Sequence, residues 1–205
     1  MLRFFVIAIL FWVGWLFFNE SVILQPPGIL VSEDPILATS PNSLVAWKRD
    51  NYTITPLATY HIKARVLSKN HYYMGREADL SYYDLVLGWK EMSDTKVLNS
   101  IEISQSYRWY SYTVKNNLNE RLIDPSLIQF ESGNMHIIAD NNEVLEAIKK
   151  IKVGNVIILD GYLVDIVGSD GWHWKSSITA SSSGAHGCKL IWVNKVEISP
   201  FDAYF

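Results

Sequence analysis

Apolar and polar residues alternate along much of the chain after about residue 45, and the alternation predicts strands. In residues 60–67, Ile62, Ala64 and Val66 fall on one face and His61, Lys63 and Arg65 on the other. Residues 101–114 are rich in Ile, Tyr and Trp, with Ile101 and Ile103 sharing a face. Residues 127–130 and 135–138 are shorter strand candidates. Residues 156–167 read as one long bent strand or a strand pair, with Gly161 marking a bulge or tight bend. Residues 172–178 and 189–198 complete the set. Asp170-Gly171, between two apolar runs, is a turn.

Helical periodicity is confined to two places. Ser81 with Asp84 three residues on has the spacing of a capping box and predicts a helix over 81–92, weakened by Gly88. The second helix is expected to be capped by Asp140, with Glu143 three residues on. Val144, Leu145, Ile148 and Ile151 form its apolar stripe, Lys149, Lys150 and Lys152 suit the negative end of its dipole, and Gly154 stops it. Many strands with about two helices predict a β-rich α+β domain, a small antiparallel barrel or a curved sheet.

The amino end has a different pattern. Between Phe4 and Phe18 the chain carries no charge and no proline. As a helix these residues span roughly 22 Å, short of a full hydrocarbon core but extendable through Val22, Ile23 and Leu24. A cleaved signal peptide needs small residues after the run, and here Phe17-Phe18-Asn19-Glu20 follow. A core helix would be apolar on one face only. An uncleaved transmembrane signal anchor fits better, with Trp12 and Trp15 among the aromatics at its carboxyl end. Arg3 precedes the run and acidic residues follow it, so the remainder is expected outside the cytoplasm. Residues 1–24 are thus expected as anchor, 25–45 as a Pro-rich extended linker and 46–199 as a single exported domain.

Composition narrows the classes. The 205 residues are 49% hydrophobic with formal net charge −3, which excludes a disordered chain. A single cysteine, Cys188, excludes a disulfide scaffold. With 18 Lys+Arg against 21 Asp+Glu, no nucleic-acid partner is expected. His61, His71, His136, His173 and His186 show no metal-ligand spacing, so neither metal nor cofactor is expected.

The sharpest local motif is Ala185-His186-Gly187-Cys188. It resembles the active-site segment of the L,D-transpeptidases, which cross-link peptidoglycan outside the membrane. Their pattern is Ser/Thr-His-Gly-Cys, then an apolar residue and Arg, with a second histidine upstream. The resemblance implies Cys188 as thiolate nucleophile, with His186 or His173 as base. Here Ala185 replaces the hydroxyl residue and Lys189-Leu190 follow the cysteine. In the other reading Cys188 is a small buried hydrophobe at the start of a strand. His136, in Asn134-Met135-His136, is a further candidate at a polar corner.

Aromatic residues suggest binding. Trp109 with Arg108, and Trp172 with Trp174, could stack on sugars, bases or a partner protein if exposed, and fill the core if not.

Several longer phrases, LVLGWKEMSD (85–94), IEISQSYRWY (101–110), GNMHII (133–138), GYLVDI (161–166), DGWHWKSS (170–177) and CKLIWV (188–193), resemble an uncharacterised family of bacterial membrane-anchored exported proteins. That resemblance implies a bacterial inner-membrane, single-pass protein with a periplasmic domain. It implies no catalytic residue. The leading expectation is a non-enzymatic module that binds an envelope protein or glycan. The alternative is a cysteine-dependent cell-wall enzyme.

Overall fold

The structure, a computed structural model, describes residues 22–38, 44–115, 122–178 and 188–199. The anchor expected between Phe4 and Phe18 lies outside these residues, as does His186. No helix among the described residues is long and apolar enough to cross a membrane.

The fold is β-rich. In chain order the strands are β1 (Ile36–Ala38), β2 (Trp47–Arg49), β3 (Tyr52–His71), β4 (Tyr83–Gly88), β5 (Ile101–Ser106), β6 (Trp109–Val114), β7 (Ser132–Ala139), β8 (Val156–Gly168), β9 (His173–Trp174) and β10 (Lys189–Ile198). Three short helices accompany them: α1 (Thr95–Asn99), α2 (Pro125–Glu131) and α3 (Asn142–Lys150). Eight strands share one large sheet, and β5–β6 form a separate hairpin.

Within the large sheet, β3 pairs with β4, β4 with β7, β7 with β10, β10 with β8, and β8 with β3 again. Each of these five strands thus has two partners from the same set. The β7–β10 pair is parallel and the rest antiparallel. The sheet is therefore mixed, which corrects the antiparallel expectation.

β3 makes this possible by its length. Its first two thirds register with β8, from Tyr52↔Gly168 to Arg65↔Val156, and its last third with β4. Ile62, Ala64 and Val66 are fully buried, as the alternation predicts, and face the main core with Leu85, Leu87, Met135, Ile137, Leu159, Ile191 and Val193. Pro56 has no N–H to give a ladder, and the β3–β8 register breaks beside it. Gly161 is required by close approach: a Cβ there would sit 1.9 Å from the Trp192 carbonyl oxygen. The β8–β10 register shifts nearby, between Val193 and Lys195.

Several local expectations are corrected. Residues 81–92 are not a helix. Tyr83–Gly88 is strand β4, with Leu85, Val86 and Leu87 all fully buried, and the Ser81/Asp84 spacing serves other partners. Residues 127–130 belong to helix α2, where Asp124 caps Ser126 N–H and Pro125 occupies the first turn. The last helix, α3, is present, but its cap is Asn141, which accepts from Val144 N–H at 3.0 Å. Residues 25–38 are extended, yet they lie on the domain rather than apart from it. Val31 is buried, β1 pairs with β3, and Ser93 Oγ accepts from Leu30 and Val31 N–H.

Candidate functional site

β4 and β7 bring Asp84 and His136 together as direct register partners. Both side chains lie on the face of the sheet opposite Leu85, Met135 and Ile137, because successive residues of a strand alternate. His136 Nδ1 lies 2.9 Å from Asp84 Oδ2. The approach is oblique, so the contact is one of charge rather than an aligned hydrogen bond. Asp84 is 0% exposed, and its other oxygen accepts from Arg108 Nη1 at 2.9 Å. An ionised carboxylate that deeply buried requires such partners.

Arg108 comes from the tip of the β5–β6 hairpin. Tyr107 and Arg108 both have positive φ, 48° and 63°, the left-handed backbone of a tight two-residue turn. The tip is tied down by Tyr72 Oη, which accepts from Arg108 N–H at 2.8 Å, and by Asn134 Nδ2, which donates to the Arg108 carbonyl at 2.8 Å. The guanidinium also donates to the Ser81 carbonyl at 3.0 Å and packs on the rings of Tyr72 and Trp174.

Cys188 immediately precedes β10, whose parallel pairing with β7 sets Leu190 opposite His136. The thiol is half-buried, contacts the His136 ring and points toward the Arg108 carbonyl at 3.9 Å. Burial acts to lower the His136 pKa, but the contacts with Asp84 and Cys188 outweigh it and raise the imidazole to about 9. Around these groups is a cleft of about 620 Å³, walled by Tyr107, Arg108, Trp109, His136, Trp174 and Cys188, with Glu77 and Lys175 also on its rim.

The sequence candidates are thereby sorted. Cys188, His136, Arg108, Trp109 and Trp174 share the cleft. His173 does not; it is exposed on β9, in register with Val167. Trp172 contacts Trp174 at 6.0 Å but packs on Tyr52 and Arg76 beside the cleft rather than lining it. Asp84 is the residue that sequence reasoning missed, because its spacing from Ser81 imitates a helix cap. No group of three or more metal-ligating side chains occurs among the described residues.

The chain matches no protein-family model, no curated protein and no solved structure.

Proposed function

We propose that Cys188, His136 and Asp84 form a nucleophilic thiol site, and that the chain is a cysteine-dependent acyl-transferring or acyl-hydrolysing enzyme anchored in the bacterial envelope. The observation that carries this reading is the contact of the Cys188 thiol with a buried imidazole whose Nδ1 is held by a buried carboxylate. Nucleophile, proton carrier and orienting group then stand in series.

With Nδ1 against Asp84, Nε2 is the nitrogen left to exchange a proton with the thiol. An imidazole raised to about 9 is protonated at neutral pH, so it holds a proton ready for a leaving group. The thiolate adds to a substrate carbonyl carbon. As the adduct collapses, His136 gives its proton to the departing amine or alkoxide, leaving an acyl thioester on Cys188. Neutral His136 then takes a proton from an attacking water or amine, and the thiolate leaves as the product acid or amide forms. Asp84 orients the ring throughout, and Arg108 positions Asp84. The base in this scheme is His136, not His186 or His173.

The ring of pairings supports reading the domain as a small five-stranded barrel. In chain order its strands are β3, β4, β7, β8 and β10, with α3 between the third and fourth. OB-folds have this kind of barrel and bind oligosaccharides or oligonucleotides on strands two and three and the loops after strands one and four. Asp84 and His136 are on those two strands, Glu77 is in the first loop, and Lys175 and Cys188 are in the second. This is a fold-level analogy. With a net acidic chain, it favours an envelope glycan or glycopeptide over nucleic acid.

The test is the alkylation rate of Cys188 across pH 5 to 9. Fast modification at pH 6 that is lost in His136→Asn supports the thiol site. A thiol that reacts only after denaturation, or equally in both proteins, overturns it.

A second reading, a non-enzymatic binding module, draws on the exposed rim: Tyr107 is 89% and Trp109 49% exposed. It expects co-sedimentation with isolated peptidoglycan that falls in the Tyr107→Ser/Trp109→Ser variant. Sedimentation unaffected by those changes would sink it.

A further inference from the structure

The sheet face that carries Asp84 and His136 holds a second cleft, of about 840 Å³, with Trp47, Tyr162 and Trp192 among its walls. Trp47 meets the other two rings edge to face, with centroids 5.1 Å from Trp192 and 6.0 Å from Tyr162. All three rings pack with Ile138, Val164 and Leu190, yet Trp47 and Tyr162 stay half-buried, so aromatic surface reaches the cleft. Trp192 is pinned from two directions. The Arg49 guanidinium lies 5.1 Å from its ring centroid, and its Nε1 donates to Asp140 Oδ1 at 3.0 Å. Two β-bulges shape the rim. The β3–β8 register shifts between Pro56 and Ala58, and the β10–β8 register between Val193 and Lys195, so Leu57 and Asn194 are the extra residues. Bulges re-aim side chains, and here Pro56 and Asn194 both line the cleft.

The chemistry of the walls restricts the occupant. Asn142 and Asn194 line the cleft, and among the described residues neither side chain has a hydrogen-bond partner. A side-chain amide both donates and accepts, which matches hydroxyl and acetamido groups. Asp140 accepts from Trp192 and from Asn141 Nδ2, and a carboxylate has about four acceptor sites, so capacity remains for hydroxyls. An anion fits less well. Asp140 stands on the same wall, and Arg49 gives Nη1 to the Ala139 carbonyl at 2.7 Å. The chain is also net acidic, at −3, which opposes a polyphosphate backbone. Aromatic faces beside neutral donors and acceptors suit the C–H faces and hydroxyl edges of a sugar ring. Leu44, Val45 and Pro56 add aliphatic wall, which the methyl of an acetamido group complements. At roughly 30 Å³ per water-sized group, the cleft has room for about 28 non-hydrogen atoms, the size of a disaccharide.

We propose that this cleft binds a neutral disaccharide of N-acetylated amino sugars. Its rings lie against Trp47 and Tyr162, and its hydroxyl and acetamido groups bond to Asn142, Asn194 and Asp140. The site is separate from the thiol cleft, since no residue lines both. Asp140 follows His136 by four residues along the direction of β7, roughly 13 Å. The site goes beyond the thiol reading and stands or falls without it.

The experiment uses the full chain in lipid nanodiscs, labelled with ¹⁵N at the indole nitrogens. Trp47→Phe and Trp192→Phe assign the two signals. N,N′-diacetylchitobiose, cellobiose (the same disaccharide frame without acetamido groups) and oligothymidylate are titrated separately. The expected result is a saturable shift of both signals with diacetylchitobiose and binding of cellobiose at least about tenfold weaker. Affinity should also fall about tenfold in Asn142→Ala/Asn194→Ala. Those side chains are exposed and bond to nothing in the chain, so the ligand-free variant keeps its melting temperature. No saturable shift at Trp47 and Trp192 overturns the proposal. So does cellobiose binding as tightly as diacetylchitobiose, or affinity unchanged in the double asparagine variant. Oligothymidylate shifting the same signals at equal or lower concentration would make the cleft a nucleic-acid surface and overturn it too. The titration in Tyr107→Ser/Trp109→Ser is expected to be unchanged, and a loss there would place the sugar at the thiol cleft instead.

Discussion

Arg108 reaches the buried carboxylate of Asp84 from a backbone conformation that arginine disfavours. Its φ is 63°, and Nη1 donates to Asp84 Oδ1 at 2.9 Å. Tight two-residue hairpin turns usually place Asn or Gly at such positions. Here Tyr107 and Arg108 occupy them, and the left-handed conformation costs each roughly 1–2 kcal/mol. The contacts of Arg108 with Asp84, Ser81, Tyr72 and Asn134 hold the turn in place.

The two turn residues are expected to respond in opposite ways. Tyr107→Gly relieves strain at a side chain exposed to solvent and should stabilise the domain by about 0.5–1 kcal/mol. Arg108→Gly relieves the same strain but strips Asp84 of its cation, and should destabilise it. Urea midpoints of the two variants measure this directly.

Asp84→Asn should cost about 3–5 kcal/mol, because it removes the charge that faces both Arg108 and His136 while leaving the guanidinium in place. The accompanying change is a fall in the His136 pKa from about 9, read by NMR titration of the ring. A stable variant with an unmoved histidine titration would mean that the carboxylate does not set the charge of the ring.

His136 also makes stability depend on pH. Its folded pKa, about 9, is above the unfolded value near 6.5. The stabilisation is fully present below about pH 6.5 and is lost as pH rises through about 9. The size is about 3 kcal/mol at its fullest. Unfolding midpoints between pH 6 and 10 should therefore fall for the natural chain and stay flatter in His136→Gln.

Glu131 should behave similarly in a lower window. Burial and the neighbouring Glu91 raise its pKa to about 7, while the same contact lowers that of Glu91. The raised group favours the folded state fully below about pH 4.5, and this advantage is lost as pH rises through about 7. Glu131→Gln keeps an oxygen for the Glu91 N–H, now accepted by Glu131 Oε2 at 3.1 Å, and cannot ionise. The variant should gain on the natural chain as pH rises from about 4.5 to about 7, with the two converging below about pH 4.5.

Periodicity made much of the large sheet legible. The alternation at Ile62, Ala64 and Val66 survives as a buried face, and residues 156–167 and 189–198 are strands β8 and β10. Two short segments defeated it for opposite reasons. Residues 83–88 borrowed the spacing of a helix cap, while their fully buried leucines and valine belong to a central strand. Residues 127–130 carry Leu, Ile and Phe, but Asp124-Pro125 ahead of them is a helix start. In the candidate site, Cys188, His136, Arg108, Trp109 and Trp174 could each be singled out by residue type. Their meeting could not, because it depends on the parallel β7–β10 pairing and on a hairpin tip folded back over β4. Asp84 could be recognised only once its strand was known.

The double pairing of β3 also constrains the order of assembly. Its partners in β8 lie about a hundred residues further along the chain, among the longest-range contacts a domain of this size can make. A growing chain that has delivered β3 and β4 but not β8 holds half of a sheet with an open edge. Contacts this distant in sequence form slowly, since loop closure precedes their reward. Folding should therefore be limited by the arrival of residues 156–168, and truncations before Val156 should leave an aggregation-prone intermediate rather than a smaller domain.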